Sequence, residues 1–153
     1  MPEKKTIERA RRDARQGKAP STQAGEFVRE EIHHVREGKH GARSAKQAIA
    51  IGLSKARRAG VELPPPKEGR TQAATRKQAA RDARKGKGQN RHASKPDAER
   101  SHAVSRALKR ERHGAASRRA LAAHARQSAR TRSRAERSEA ARRAARTRRS
   151  RND

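Results

Sequence analysis

Nine of the thirteen Leu, Ile, Val and Phe residues of this chain fall in one window, Phe27 to Leu63. Phe27, Val28, Ile32, Val35, Ile49, Ile51, Leu53, Val61 and Leu63 lie inside it, and outside it stand only Ile7, Val104, Leu108 and Leu121. A chain folds around what it can bury, so one small core is all that this sequence can build. With 29 % hydrophobic residues, many of them Ala, against 39 % charged ones, the rest falls on the disordered side of the charge–hydropathy balance.

The charge then selects the partner. Forty-three Lys and Arg against sixteen Asp and Glu give a formal charge of +27. Such a chain attracts polyanions at long range and releases condensed counterions at a phosphate backbone, which points to nucleic acid, DNA ahead of RNA. Phe27 is the one aromatic residue. Readers of single-stranded bases stack them on aromatic rings, so contact here must run through phosphates.

Several classes are set aside. Without Cys there are no disulfides, thiolate metal sites or thiol nucleophiles. The start, MPEKKTIERARRD, has no apolar h-region and carries Glu3, Glu8 and Asp13, unlike a secretory signal or transit peptide. No run of eighteen apolar residues suggests a membrane span, and the expected location is the cytoplasm, at the nucleoid. Phosphate-loop, dinucleotide, nucleophile-elbow and zinc-protease motifs are missing, so neither an enzyme nor a cofactor is expected. His33, His34 and His40 are the closest histidines. The first two point about 100° apart on a helix, His40 lies beyond a Gly, and no Cys or well-placed carboxylate completes a set, so they are expected to be solvated and free of metal.

Local signals divide the chain. Residues 3–16 suit a short basic helix with Thr6 near its start and Gly17 as the left-handed stop. Ala19-Pro20-Ser21-Thr22 then supplies a turn and cap, and Ala24, Phe27, Val28, Ile32 and Val35 share one helical face before Gly38. In Ser44–Gly60, Ser44 and Gln47 form a capping box, Gly60 closes the helix and Pro64-Pro65-Pro66 forbids its continuation. Ala45, Ala48, Ile49, Gly52, Leu53 and Ala56 make a stripe whose small members allow a second helix to approach closely. The predicted hairpin over 21–60 has the core Phe27, Val28, Ile32, Val35, Ile49 and Leu53. It is too small to be stable alone, leaving room for the first helix, for a second copy in a homodimer, or for a helical protein partner held through 21–60.

Beyond the prolines, Thr75 to Ala79 repeats the cap pattern of Ser44 to Ala48. ARRDARQGK at Ala10–Lys18 recurs as AARDARKGK at Ala79–Lys87, identical at seven of nine positions. This is either a duplicated phosphate-binding helix or chance in an Ala/Arg-rich chain. GKGQNRHASK, Gly86 to Lys95, reads as linker, and a short helix follows from Pro96-Asp97 to about His113, with Val104 and Leu108 as its apolar pair. From Gly114 the text is Ala, Arg and Ser, with thirteen Arg, no Lys and three acids. That tail is expected as coil that becomes helical where phosphates neutralise it.

The expected fold is therefore all-α: a helical hairpin or three-helix unit over 1–63, a basic linker with a short helix over 64–95, a short helix over 96–113, and a disordered or inducibly helical arm over 114–153. Nucleic-acid contacts are expected from Arg81, Arg84, Lys85 and Lys87 and, in the arm, from Arg118, Arg119, Arg126, Arg130, Arg132, Arg134, Arg142, Arg143, Arg146, Arg148 and Arg149. The function expected is non-specific DNA binding. Two rivals are an RNA- or ribosome-associated protein and an interaction module whose tail anchors it to a polyanion.

The K-Q-A-I-A-I-G-L-S-K-A-R-R-A-G run ending at Gly60, preceded by Gly38-Lys39-His40-Gly41 and followed by Pro64–Lys67, resembles a family of small basic bacterial proteins classed as a domain of unknown function. The resemblance covers about residues 36–66, and VSRALKRERHGAASRRAL with the Ala/Arg tail looks like the longer members. It implies a bacterial source and no enzyme activity, and brings no functional residues. The tail is similar in composition to linker-histone tails.

Overall fold

The Pro-initiated helix Pro20–Arg36 and the Ser-capped helix Ala45–Arg58 form the centre of the structure, and Gly52 is where they touch. A Cβ built on Gly52 would stand 2.7 Å from the Cα of Val28 and 3.0 Å from the Phe27 carbonyl oxygen. Backbone therefore meets backbone, which the small-residue stripe predicts. The computed structural model describes residues 2–69, 71–88 and 98–149. Among these there are helices α1 (Lys4–Arg15), α2 (Pro20–Arg36), α3 (Ala45–Arg58), α4 (Ala73–Gly86), α5 (Ala98–Arg110), α6 (Arg118–Arg130) and α7 (Arg134–Arg149), with a 3-10 turn at His113–Ala116 and no strand. The linker residues 89–95, the Pro96-Asp97 helix start and the last residues of the tail, 150–153, lie outside the described residues.

The chain divides into two compact units, residues 1–117 and 118–153. In the first, α1 runs antiparallel along α2, as the Glu3 N–H to Glu30 Oε2 bond of 3.2 Å at one end and the Arg9–Glu26 ion pair of 3.8 Å further along require. α2 packs on α3, and α4 packs on the far side of α3. Packing thus continues past residue 63: a Cβ on Gly86 of α4 would run into the Arg57 carbonyl oxygen. The end of α5 docks on the turn between α2 and α3, where Gly41 N–H donates to Leu108 O (2.8 Å) and Ala42 N–H to Arg112 O (3.1 Å). Arg36 Nε also donates to Ala116 O at 2.9 Å.

Helix boundaries follow local chemistry with three adjustments. Gly17, Gly38 and Gly60 all take positive φ (67°, 75° and 93°), where a Cβ would clash with the following carbonyl. Ser44 Oγ accepts from Gln47 N–H at 3.2 Å, but the Gln47 side chain returns to Arg43 N–H (2.7 Å) rather than to the cap residue itself. α2 starts at Pro20, in the N1 position that suits a residue lacking N–H, so Ser21 and Thr22 lie inside the helix instead of capping it. α4 starts at Ala73, which puts Thr75 in its first turn and not at its cap.

The core is smaller in side-chain volume than the sequence implies. Ala10, Ala24, Phe27, Ala56 and Val61 form its buried centre, with Ile7, Leu53 and Leu63 packed against it, and Ile32 and Val35 are buried as well. Val28, Ile49 and Leu53 are only half-buried, contrary to their place in the expected core. Alanine and glycine occupy the seam because the helices lie too close for larger groups, which displaces the branched residues to its edges.

The arm differs most from expectation. Residues 118–149 are largely helical where coil was expected, and no residue of α6 or α7 is fully buried. Their stability is local. Ala and Arg are strong helix formers. Ser133 and Glu136 form a reciprocal capping box at the start of α7, with Glu136 N–H to Ser133 Oγ at 3.2 Å and Ser133 N–H to Glu136 Oε2 at 2.9 Å. An i,i+4 pair, Glu139–Arg143, supports the following turn. The local signal for this start is the S-x-x-E signature of Ser133-Arg134-Ala135-Glu136, which composition masks.

Candidate nucleic-acid interface

Phosphate binding requires Arg and Lys whose charge is free to leave water for an anion, and the arm is built that way. Arg118, Arg119, Arg126, Arg130, Arg132, Arg134, Arg142, Arg143, Arg146, Arg148 and Arg149 are all exposed. At about 100° per residue, Arg119, Arg126 and Arg130 fall within about 40° of one another on α6. The half-buried Ala120, Leu121, His124 and Ser128 occupy the opposite side. On α7, Arg134, Arg142, Arg146 and Arg149 cover one broad face of a helix about 24 Å long. Arg143 is held by Glu139, so its charge is partly answered within the protein.

The first unit carries a second basic stripe on α4. Arg81, Arg84 and Lys85, spaced i, i+3, i+4, are exposed together, and Lys87 follows the helix end. The opposite face is buried through Ala79 and Asp82. The matching residues of α1, Ala10 and Asp13, are buried too, while Arg12 and Arg15 are exposed. The two copies of the repeat thus use equivalent positions alike: Ala and Asp inward, Arg outward. Asp13 takes an ion pair from Lys18 at 2.6 Å. Asp82, 2 % exposed, instead joins three groups: Ser54 Oγ donates to it at 2.6 Å, Gln78 Nε2 at 3.2 Å, and Arg58 Nε lies 3.3 Å away.

Not every cation is available. Arg57 is buried, with Nε donating to Leu63 O and Nη2 to Pro64 O, both at 3.2 Å, so it clamps the proline-rich exit against α3. Burial pushes its pKa down, and the nearby Asp82 charge acts in the other direction. At the opposite end of the unit, hydrogen bonds from His34 and then Lys39 hold the Glu3 carboxyl below its ordinary range, and the Glu37 hydrogen bond raises Lys39.

The histidines correct the sequence reading. His33 is exposed as expected, but His34 and His40 are half-buried. Glu31, 1 % exposed, supplies the carboxylate that the sequence had not revealed, with Oε1 3.1 Å from His40 Nε2. Glu31 lies one helical turn before His34, and the Gly38 turn brings His40 back to α2. Spacing along the helix made the first pairing readable; the return of His40 was not. Glu30 and Glu31 are both buried and share Lys55, whose Nζ lies 3.7 and 2.6 Å from them.

No helix among the described residues is long and apolar enough to cross a membrane. No curated protein and no solved structure matches the chain. Residues 3–67, which span α1, α2, α3 and the proline exit, match the model of a Family of unknown function (DUF6496).

Proposed function

We propose that the protein binds nucleic acid, duplex DNA ahead of RNA, through phosphate contacts and without base selection, as an accessory protein of the nucleoid. The observation that carries this reading is the second unit, in which no side chain of the two helices is fully buried and the eleven Arg named above stand exposed on them and on the link between them. Helices that bury so little mainly present surface, and this surface is cationic. Arg suits close phosphate contact through its planar, bidentate donors. Base selection needs side chains held at groove edges by a rigid frame, and nothing packed holds these.

The deciding experiment compares the full chain with one truncated after Ser117 on a duplex of fixed length, across a salt series. Each phosphate contact contributes about 0.9 to the slope of log affinity against log salt. The truncation should flatten that slope by several units and leave the first unit folded. An unchanged slope would move binding to the first unit. Structured RNA outcompeting duplex DNA would reassign the ligand class, and one duplex bound about a thousandfold above others of its length would overturn the absence of base selection.

A further inference from the structure

We propose that Glu31, His34 and His40 form a binding site for a first-row divalent metal ion of the zinc type. Each offers one ligand atom, and these atoms lie within 4.8 Å of one another. The donor set is two imidazoles and a carboxylate, which suits zinc and its neighbours and disfavours magnesium and calcium, ions that take oxygen ligands.

His40 carries the argument. Its Nδ1 lies 3.0 Å from the Gly41 carbonyl oxygen and its Nε2 lies 3.1 Å from Glu31 Oε1. Both neighbours only accept hydrogen bonds, so the ring meets them either as an imidazolium donating from both nitrogens or as a neutral imidazole, with one N–H, and a cation at Nε2. With the proton on Nδ1, the Nε2 lone pair faces a carboxylate, and a cation between them resolves the conflict. A hydrogen bond from the other ring nitrogen to a carbonyl is the usual orientation of a metal-bound histidine. The 3.1 Å separation is also the right edge length: two ligands with bonds of about 2.0–2.1 Å around a tetrahedral ion stand about 3.3 Å apart.

The surroundings fit. Glu3 Oε1 lies 2.9 Å from His34 Nε2 and orients that ring. Lys55 sits on the other oxygen of Glu31, Oε2, and is also answered by Glu30, so Oε1 remains available. Glu3, Glu30 and Glu37 gather at this end of the first unit beside Arg9, Arg29 and Lys39, and Glu31 is paired with Lys55 through Oε2. Three protein ligands leave a fourth position for water. The ion would fasten the segment after α2 to the helix. Because Gly41 and Ala42 hold the end of α5, it would also stiffen that docking.

The test uses untagged full-length protein, freed of nucleic acid by nuclease and high salt and of metal by EDTA, then titrated with zinc chloride. Substoichiometric zinc should move the imidazole resonances of His34 and His40 before those of the other five histidines and raise the thermal midpoint. His34→Ala and His40→Ala should each weaken zinc binding by about tenfold or more, the scale of disrupting a metal's supporting groups. His33→Ala, at the exposed neighbour, should leave it unchanged. All histidines responding together, equal loss in His33→Ala, or an equal response to magnesium chloride would overturn the site. Should His40→Ala lower helicity by itself, the wild-type resonances decide.

Discussion

Gly52 of α3 lies against Val28 of α2 so closely that a single added methyl group would stand 2.7 Å from the Val28 Cα. The atoms it would strike are backbone, which cannot rotate away. Gly52→Ala should therefore destabilise the first unit by about 1–3 kcal/mol, outweighing the roughly 1 kcal/mol that Ala contributes to a helix over Gly. Gly25, on α2, has nothing within 4 Å of the place an added methyl would take. Gly25→Ala should stabilise by about 0.5–1 kcal/mol, and urea midpoints of the two variants should move in opposite directions.

The two copies of the repeat should respond unequally when their buried acids are removed. Asp82→Ala leaves the half-buried Ser54 hydroxyl without its acceptor and takes one acceptor each from the exposed Gln78 and Arg58, at a cost of about 1–3 kcal/mol. Asp13→Ala frees Lys18, a half-exposed side chain that water can solvate, and should cost about 1 kcal/mol or less. Denaturant unfolding of both variants gives the order, and equal losses would contradict the wiring described.

Gly17 and Gly86 also occupy matching positions of the repeat and should fail for different reasons. Gly17→Ala meets open space but must hold φ near 67°, a strain of about 1–2 kcal/mol. Gly86→Ala drives a methyl into the Arg57 carbonyl. It should lift α4 off α3, which faster amide exchange confined to α4 would report, while Gly17→Ala leaves α4 protected.

In the arm, Ser133→Ala removes the side-chain acceptor at the start of α7. With no buried face to compensate, a cap worth about 1 kcal/mol should matter. Backbone chemical shifts of residues 134–149 should move toward coil, and shifts unchanged from wild type would show that Ala and Arg hold the helix without it.

Changing Arg81, Arg84 and Lys85 together to Ala tests the stripe on α4. The slope of log affinity against log salt should fall by up to about 2.7, at about 0.9 per contact, with helicity retained. A slope equal to wild type would confine phosphate contact to the arm.

Much of the first unit is legible because its signals are local. Gly17, Gly38 and Gly60 stop helices by their own backbone freedom, Ser44 caps α3 through its own hydroxyl, and the Ala/Gly stripe announces a close approach that Gly52 makes. In the arm two signals compete: composition argues for coil, and the Ser133–Glu136 box for helix. The box fixes the start of α7, and the helix propensity of Ala and Arg supports both helices. Charge and the lack of aromatics carry the nucleic-acid proposal without any tertiary information.

What only the tertiary structure decided is which polar groups go inside. Asp13 and Asp82 look like ordinary members of basic helices, and Glu30 and Glu31 like the solvated flank of α2. Burial of Glu31 and Asp82 depends on partners far along the chain: Glu31 meets Lys55 and His40, and Asp82 meets Ser54 and Arg58. Capping and periodicity act within a few residues, so the sequence by itself determined where α1, α2 and α3 end, where α3 begins and which face α2 turns inward. A carboxylate leaves water only when other chain supplies the opposing charge, and that pairing exists only once the helices have packed.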